Sequence, residues 1–581
     1  MKKTESLGML FVLAALAMLL ILLNTQTYKL NPGAAEEFIE DSTQLTYLQP
    51  ALDKIKNQVF TSKISFADAY KKAVDEANKN IENQQSSADE EDNANAKEND
   101  NADENTEDSA AKEDVETVAA ADKKTPVNKE TDTASKQALQ SPAKQDAKAG
   151  KENQSTIEDD YTTGFLIRSA RGPLQEHTGI FLIIILCLFT GGSLLVTYGK
   201  YAGKPVGIKN NNVFKKPLTT VKWPAILVGL GLIAFYIILY WFPYLLSDWI
   251  LLVSPLKNLF KSGPADENFL YGVIYSIAVL LLGIKMFIKY LHSNYQKLRT
   301  VSVTFFQLSF AFIIPEILAA LKKPSVDLKN IWPLDYTFFY DSNINELLKN
   351  GKMGVFILVW GIALLVIAVP LFTYFFGKRW YCSWVCGCGG LAETAGDPFR
   401  HLSSKKLSAW RIERIIIYSV LLISVGMTAV TLINYFSHGA ILGSVSESFQ
   451  KWYGFFIGSI FAGVIGTGLY PIMGSRVWCR FACPLAAIFG IIQRYKSRFR
   501  ITTNGGQCIS CGNCSTHCEM GIDVRWYAQR QQNIVRSSCV GCGICAEVCP
   551  RGVLKLENGE EVNRINDKPI IIGNDGIYVV Q

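Results

Sequence analysis

Apolar runs of about 20 residues recur along the chain, at 7–23, 179–198, 223–246, 269–290, 301–321, 353–376, 415–433 and 453–473. A helix of about 20 residues crosses a hydrocarbon core roughly 30 Å thick. The pattern therefore predicts a mainly α, polytopic helical membrane protein of about eight spans. The loops between the runs are strongly polarised. Residues 200–222 hold Lys204, Lys209, Lys215 and Lys216 without an acid; Lys297 and Arg299 mark the next basic loop. Arg379, Arg400, Lys405, Lys406, Arg411 and Arg414 mark a third, and Arg476, Arg480, Arg494, Lys496, Arg498 and Arg500 follow the last run. Basic loops stay inside, so an even number of spans puts everything after residue 500 in the cytoplasm. The expected location is the bacterial inner (cytoplasmic) membrane, multi-pass, with membrane lipid as a partner. The small excess of 58 Lys and Arg over 52 Asp and Glu follows from that topology, so no nucleic-acid partner is expected.

Residues 1–24 read as an N-terminal membrane anchor. Lys2 and Lys3 precede the apolar run, and no small-x-small cleavage site follows in residues 24–28. Residues 25–81 read as an exported helical segment, with Leu52, Ile55, Val59 and Phe60 at near-helical spacing. Residues 82–178 are for the most part rich in Asp, Glu, Asn, Lys, Ala and Ser. Such a composition buries too little apolar surface to offset the entropy of ordering, which predicts a disordered exported tether. A three-span membrane region, 179–300, leads into a four-span core, 301–500. Residues 501–581 form the last unit.

That unit holds eight of the fourteen cysteines. Cys508, Cys511, Cys514 and Cys518 make one C-x2-C-x2-C-x3-C run, and Cys539, Cys542, Cys545 and Cys549 a second, closed by Pro550. Three cysteines at this spacing wrap one face of an iron–sulfur cube, and the fourth reaches the other cluster. The expected ligand sets are Cys508, Cys511, Cys514 and Cys549 for one 4Fe-4S cluster, and Cys539, Cys542, Cys545 and Cys518 for the other. Structural zinc pairs its ligands differently, and a cytosolic setting disfavours disulfides. The expected fold here is a small α+β two-cluster bacterial ferredoxin.

A second cysteine pattern occurs twice within 301–484. Gly377, Arg379, Tyr381, Cys382, Trp384 and Cys386 follow one hairpin of spans; Gly474, Arg476, Trp478, Cys479, Phe481 and Cys483 follow the next. The shared form is G-x-R-x-aromatic-C-x-aromatic-x-C, which implies a duplicated unit at the inner membrane face. If each C-x3-C is helical, both its thiols lie on one face. Cys382, Cys386, Cys479 and Cys483 then read as a further iron–sulfur or metal centre, as redox-active dithiols, or as small packing residues. Cys388 is an additional candidate ligand, and Cys187 is expected in the apolar core.

The paired C-x3-C motifs followed by a dicluster ferredoxin resemble the membrane-bound polyferredoxin family of NapH and the carboxyl-terminal half of NosR, over roughly residues 301–556. The resemblance implies an electron-transfer component of a quinol dehydrogenase or oxidoreductase complex. It would join a quinone pool or cytosolic electron donor to an exported redox partner protein, a reductase system. The family usually has proline after the second cysteine of each pair; the second copy keeps Pro484 and the first has Gly387. NosR-type proteins carry an S-G-A-T-like flavin motif, and none lies in residues 24–178, so covalent FMN is not expected on this chain. A relative, CcoG, shares the cysteine motifs and implies a rival reading as a copper-reducing assembly or regulatory factor for a respiratory enzyme. It normally has an additional domain after the ferredoxin, where about thirty residues follow here.

Two ionisable residues add to these expectations. Glu316, beside Pro315 in an apolar run, is a candidate proton or quinone site, because intramembrane acids are costly and mark such paths. His517, between Cys514 and Cys518, is placed either to hydrogen-bond a cluster or to face solvent.

Overall fold

A computed structural model describes residues 3–99 apart from several positions between 24 and 41, residues 161–202, and residues 216–558 apart from 262, 440 and 442, with 570–573 and 576–579. Most of the predicted tether, and Lys204, Lys209 and Lys215, lie outside the described residues. The chain forms two compact units, the smaller one lying between Gln26 and Gly172.

In the smaller unit, β1 (Thr27–Lys29) pairs antiparallel with β2 (Val59–Phe60) and β3 (Ala170–Arg171), Tyr28 facing both Phe60 and Ala170. Helices α2 (Ser42–Asp53), α3 (Lys63–Asn99) and α4 (Thr162–Ser169) accompany the sheet. Tyr28, Phe66, Tyr70 and Phe165 are buried, with the Tyr70 and Phe165 rings 4.7 Å apart. The tether reading of 82–178 is thus corrected at both ends. Helix α3 runs on to Asn99, and residues 162–171 are folded because Phe165 and Leu166 close the small core.

The larger unit is a helical bundle. Among the described residues, seven helices are long and apolar enough to cross a membrane: α1 (Lys3–Leu22), α5 (Thr178–Tyr201), α6 (Trp223–Trp241), α8 (Glu267–Lys289), α9 (Asn294–Ala320), α10 (Gly351–Phe376) and α12 (Leu407–Phe436). Between α6 and α8 lies the shorter α7 (Ser247–Phe260). Wide π turns at Ser309–Ile313 and Leu364–Ala368 sit just before Pro315 and Pro370. Proline lacks a donor and collides with the carbonyl four residues back, and the wider turn relieves that collision. The eighth predicted span, 453–473, is not one regular helix. After α13 (Gly443–Tyr453) it is a π-helical stretch, Gly454–Ile465, then two short turns. Glycines at 458 and 463 let the Tyr336 and Tyr240 hydroxyls approach where a Cβ would lie 2.5 and 2.7 Å from them.

The ferredoxin-like region is a two-stranded antiparallel sheet, β4 (Arg500–Thr503) with β5 (Leu554–Glu557), flanking two short helices, Asn513–Thr516 and Ile544–Glu547. Each short helix follows a glycine at φ +77°, Gly512 or Gly543, a left-handed position that glycine adopts without steric cost. A hairpin, β6 (Ile570–Gly573) with β7 (Gly576–Val579), follows.

Candidate functional site

The ferredoxin cysteines line two pockets, each with about 370 Å³ of empty volume. Cys508, Cys511, Cys514 and Cys549 line the first, and Cys518, Cys539, Cys542 and Cys545 the second. Both are four-thiol donor sets with the fourth cysteine exchanged between runs, an arrangement that suits a 4Fe-4S cube. Burial raises the Cys514 and Cys539 thiols to about 11. A bound cluster would hold them as thiolates.

The pockets differ in surroundings. Around the outer one, residues 509–511 are exposed; around the inner one, residues 539–541 are buried. The inner loop is clamped by the bundle through four successive carbonyls. Gln493 donates to Cys539 O at 2.8 Å, Ser383 to Val540 O at 2.7 Å, and Tyr295 to Gly541 O at 2.7 Å. Gln296 and Arg299 both donate to Cys542 O, at 2.9 and 2.8 Å.

A buried charge network lies beneath this clamp. Glu393 takes two hydrogen bonds from Arg299, at 3.0 and 2.7 Å, one from Arg476 at 2.9 Å, and one from Arg400. Glu519, the residue after Cys518, receives Arg400 at 3.0 Å and Arg476 at 3.1 Å. Arg400 also pairs with Asp397, which Lys289 holds at 2.8 Å. Burial alone would push the Glu393 carboxyl up, but three guanidiniums hold it well below the usual range. Asp397 is likewise held low, by Lys289 and Arg400 against burial. Glu519 goes the other way: burial and the neighbouring Glu393 raise it against Arg476 and Arg400.

The paired C-x3-C cysteines are brought together. Cys382, Cys386, Cys479 and Cys483 are all buried in one apolar cluster, with Cys388 packed against it. One expectation needs correcting. The C-x3-C runs are not continuous helices. The first cysteine sits in a short turn, Arg379–Cys382 or Val477–Phe481, and the second is the N-cap of the next helix, α11 (Gly387–Thr394) or α14 (Pro484–Tyr495). The chain turns because Cys386 N–H and Cys483 N–H each bond the carbonyl five residues back, Tyr381 O and Trp478 O. The loops that carry the pairs also pack along the bundle helices. Gln307 donates to Val385 O at 2.6 Å and Tyr275 to Gly387 O at 3.0 Å. Tyr275 lies about 21 Å along α8 from Lys289 at 1.5 Å per residue, so the loop folds back into the bundle.

Arg476 joins the two cysteine systems. Its Nη1 donates to Cys382 O at 3.1 Å and lies 3.8 Å from Cys479 Sγ, while Nη2 reaches Glu393 and Glu519. Arg379 instead stacks on the Tyr295 and Phe499 rings. Glu316 accepts from Lys257 Nζ at 2.8 Å, with Asp266 4.0 Å from the same nitrogen. It is an ion-paired carboxylate, remote in sequence from the cysteine network. His517 Nδ1 faces Asn513 O at 2.9 Å, and Cys187 is exposed on α5 rather than in the core.

Sequence reasoning passed over Glu393, Asp397 and Glu519. The signal was present: Glu393 and Asp397 are the only acids in residues 379–412, an otherwise basic loop, and Glu519 abuts a cluster cysteine. Lys257 was missed because α7 is too short to stand out as a span.

The architecture is that of a multi-pass helical membrane protein bearing ferredoxin-type 4Fe-4S modules of the polyferredoxin kind. The family model of the 4Fe-4S dicluster domain matches residues 500–550, and that of the 4Fe-4S binding domain matches twice, at 358–408 and 453–502, once for each C-x3-C copy. YccM of Escherichia coli, named for electron transport, is 28% identical over 158 residues, 25% of this chain and 43% of its own. The methylamine utilization ferredoxin-type protein MauN of Methylobacillus flagellatus is 26% identical over 161 residues, 26% of this chain and 52% of its own. Protein NirI of Paracoccus denitrificans is 26% identical over 190 residues, covering 31% of this chain and 26% of its own. The chain thus spans about half or less of the length of these relatives, and they do not single out a NapH or NosR type. No solved structure matches the chain.

Proposed function

We propose that the protein is a membrane-bound iron–sulfur electron carrier, relaying electrons between a quinone pool or cytosolic donor and an exported reductase system. The observation that carries this reading is the clamp of the inner ferredoxin loop onto the bundle, Ser383 of the first cysteine loop among its donors, with Arg476 joining both cysteine loops to Glu519 beside Cys518. The ferredoxin-type character of YccM and MauN supports it. Cys508, Cys511, Cys514 and Cys549 would hold one 4Fe-4S cluster, and Cys518, Cys539, Cys542 and Cys545 the other. Cys382, Cys386, Cys479 and Cys483 would hold a third centre. Each centre would supply one-electron chemistry. The chain fixes the centres in place, shields the inner two from water and balances their charge through Glu393, Glu519 and three arginines. In this reading the inner-membrane location places the ferredoxin-like module on the cytoplasmic side.

The test is iron, sulfide and copper content with EPR on anaerobically purified protein, wild type against a Cys382/Cys386/Cys479/Cys483→Ser variant. Loss of one iron–sulfur signal, with two ferredoxin signals left, supports the relay. Unchanged iron with lost copper overturns it in favour of a copper-reducing assembly factor.

A further inference from the structure

The two ferredoxin pockets are equal in thiols and unequal in field, and this deepens the relay reading above, on which it rests. The carbonyls of Cys539, Val540, Gly541 and Cys542 all point outward to donors on the bundle. Their peptide dipoles therefore put positive ends toward the inner pocket; the N–H bonds to sulfur, Ile522 to Cys518 in the inner pocket and Val553 to Cys549 in the outer, both at 3.4 Å, do not distinguish the two. Behind them stand Arg299, Arg400, Arg476 and Lys378, all nearly fully buried; of the two carboxylates that oppose them, Glu519 lines the pocket itself, and an oxygen of each of Glu393 and Glu519 lies within 4.8 Å of the Cys542 sulfur. Nearby, Asp397 is shared by Lys289 and Arg400, Arg480 pairs with Glu413 and Glu547 with His292, while Lys405 acts on Cys518 and the Arg379 side chain packs beside Gly541. The outer pocket is lined by Arg525 and Arg551, but both are exposed. A charge in water acts about fourfold more weakly than one in a protein of effective dielectric constant about 20. Burial of the inner site opposes the trend, since it disfavours the more negative, reduced state. The clamp dipoles and the four cations share one low-dielectric space and are strengthened by it, as are the two carboxylates that oppose them.

We propose that the carbonyl clamp and its cations set the inner site at the higher reduction potential, making the chain a one-way inlet for electrons. A soluble low-potential one-electron carrier would be oxidised at the exposed outer pocket. One electron would pass to the inner site and on to the C-x3-C centre, with no bond made or broken and no proton transferred.

The experiment is a potentiometric EPR titration of the full-length protein, in wild type, Gln296→Leu, Arg299→Lys and Arg299→Gln. An aqueous dysprosium chelate identifies the exposed cluster by its enhanced relaxation. The expected result is that the chelate-sensitive cluster titrates at the lower potential. Gln296→Leu and Arg299→Gln are expected to shift only the chelate-insensitive cluster, downward, and Arg299→Lys to restore most of the Arg299→Gln shift. A chelate-sensitive cluster at equal or higher potential overturns the inference, as does a shift of both clusters together. Protein with iron for fewer than two clusters overturns the underlying relay reading instead, so the two failures are distinguishable.

Discussion

In the first cysteine unit the residue after the second thiol is Gly387; in the second, 97 positions later, it is Pro484. Proline is well suited to this place, the first position of a helix, where its missing N–H is of no consequence. The first copy is tighter there. A Cβ at Gly387 would lie 3.2 Å from Gln307 Oε1 and 3.4 Å from the Tyr275 hydroxyl, which holds the fold-back loop. The same 97-residue step relates Gly377 to Gly474, both at positive φ, and relates Gln493, which holds Lys378 N–H at 2.8 Å, to Gly396, packed on Ser475. Each copy thus seats its loop on the helix that follows the other, as a pseudo-twofold pair does. Outside the loops the equivalence ends: Glu393 corresponds to Gly490. The duplication builds a thiol cage, and the differences make one side a dock for the ferredoxin.

The largest test of this asymmetry is Glu393→Ala, which leaves Arg299, Arg400 and Arg476 short of a shared carboxylate. Removing one partner of a buried ion network costs about 3–5 kcal/mol, so the thermal midpoint should collapse or folded protein be lost. Gly490→Ala, at the matching place, should cost about 1–3 kcal/mol, from pressure on Ser537 O 3.0 Å away. The shared part is tested by Gly377→Ala and Gly474→Ala. Both occupy backbone that only glycine adopts easily, at φ +66° and +99°, and each should lose about 1–3 kcal/mol or more. A loss in one and not the other would break the claimed equivalence.

Acid should act through the dock. Glu393 and Asp397 have lowered folded pKa values. Their stabilisation is present above the unfolded carboxylate range, about pH 4, and is lost as pH falls through the folded values. Glu519, raised, works in the opposite sense, its stabilisation fading as pH rises from the unfolded toward the folded value. The thermal midpoint should therefore fall with acid below about pH 4, and less steeply in Asp397→Asn. The smallest effect belongs to Pro484→Gly, about 0.4–1 kcal/mol through the freer unfolded chain. Gly387→Pro should cost more, from crowding against Gln307.

Much of this was legible in the chain because it is local. Span length announces a bilayer, and the triplet spacing of Cys508, Cys511 and Cys514 announces a cube-binding loop. The duplication was readable because Gly, Arg and both cysteines recur in register. The charge network was not, because Arg299, Glu393, Arg476 and Glu519 meet only after four distant segments fold together. The fold-back of the cysteine loops was hidden for a similar reason: it depends on Tyr275 and Gln307, polar residues in spans that hydropathy averages away. Residues 162–171 were misread because a short apolar patch, Phe165 and Leu166, was swamped by the polar stretch before it.

Helix α1 lies along α5 with backbone nearly touching backbone. A Cβ on Gly8 would sit 2.6 Å from Gly192 O, one on Gly199 would sit 2.8 Å from Thr4 Oγ1, and Trp249 Nε1 donates to Leu19 O at 3.0 Å. A peptidase that trimmed the chain after residue 24 would therefore remove a structural rib. The furrow at Gly192 and Gly199 would open to acyl chains, and the Trp249 indole would lose its acceptor.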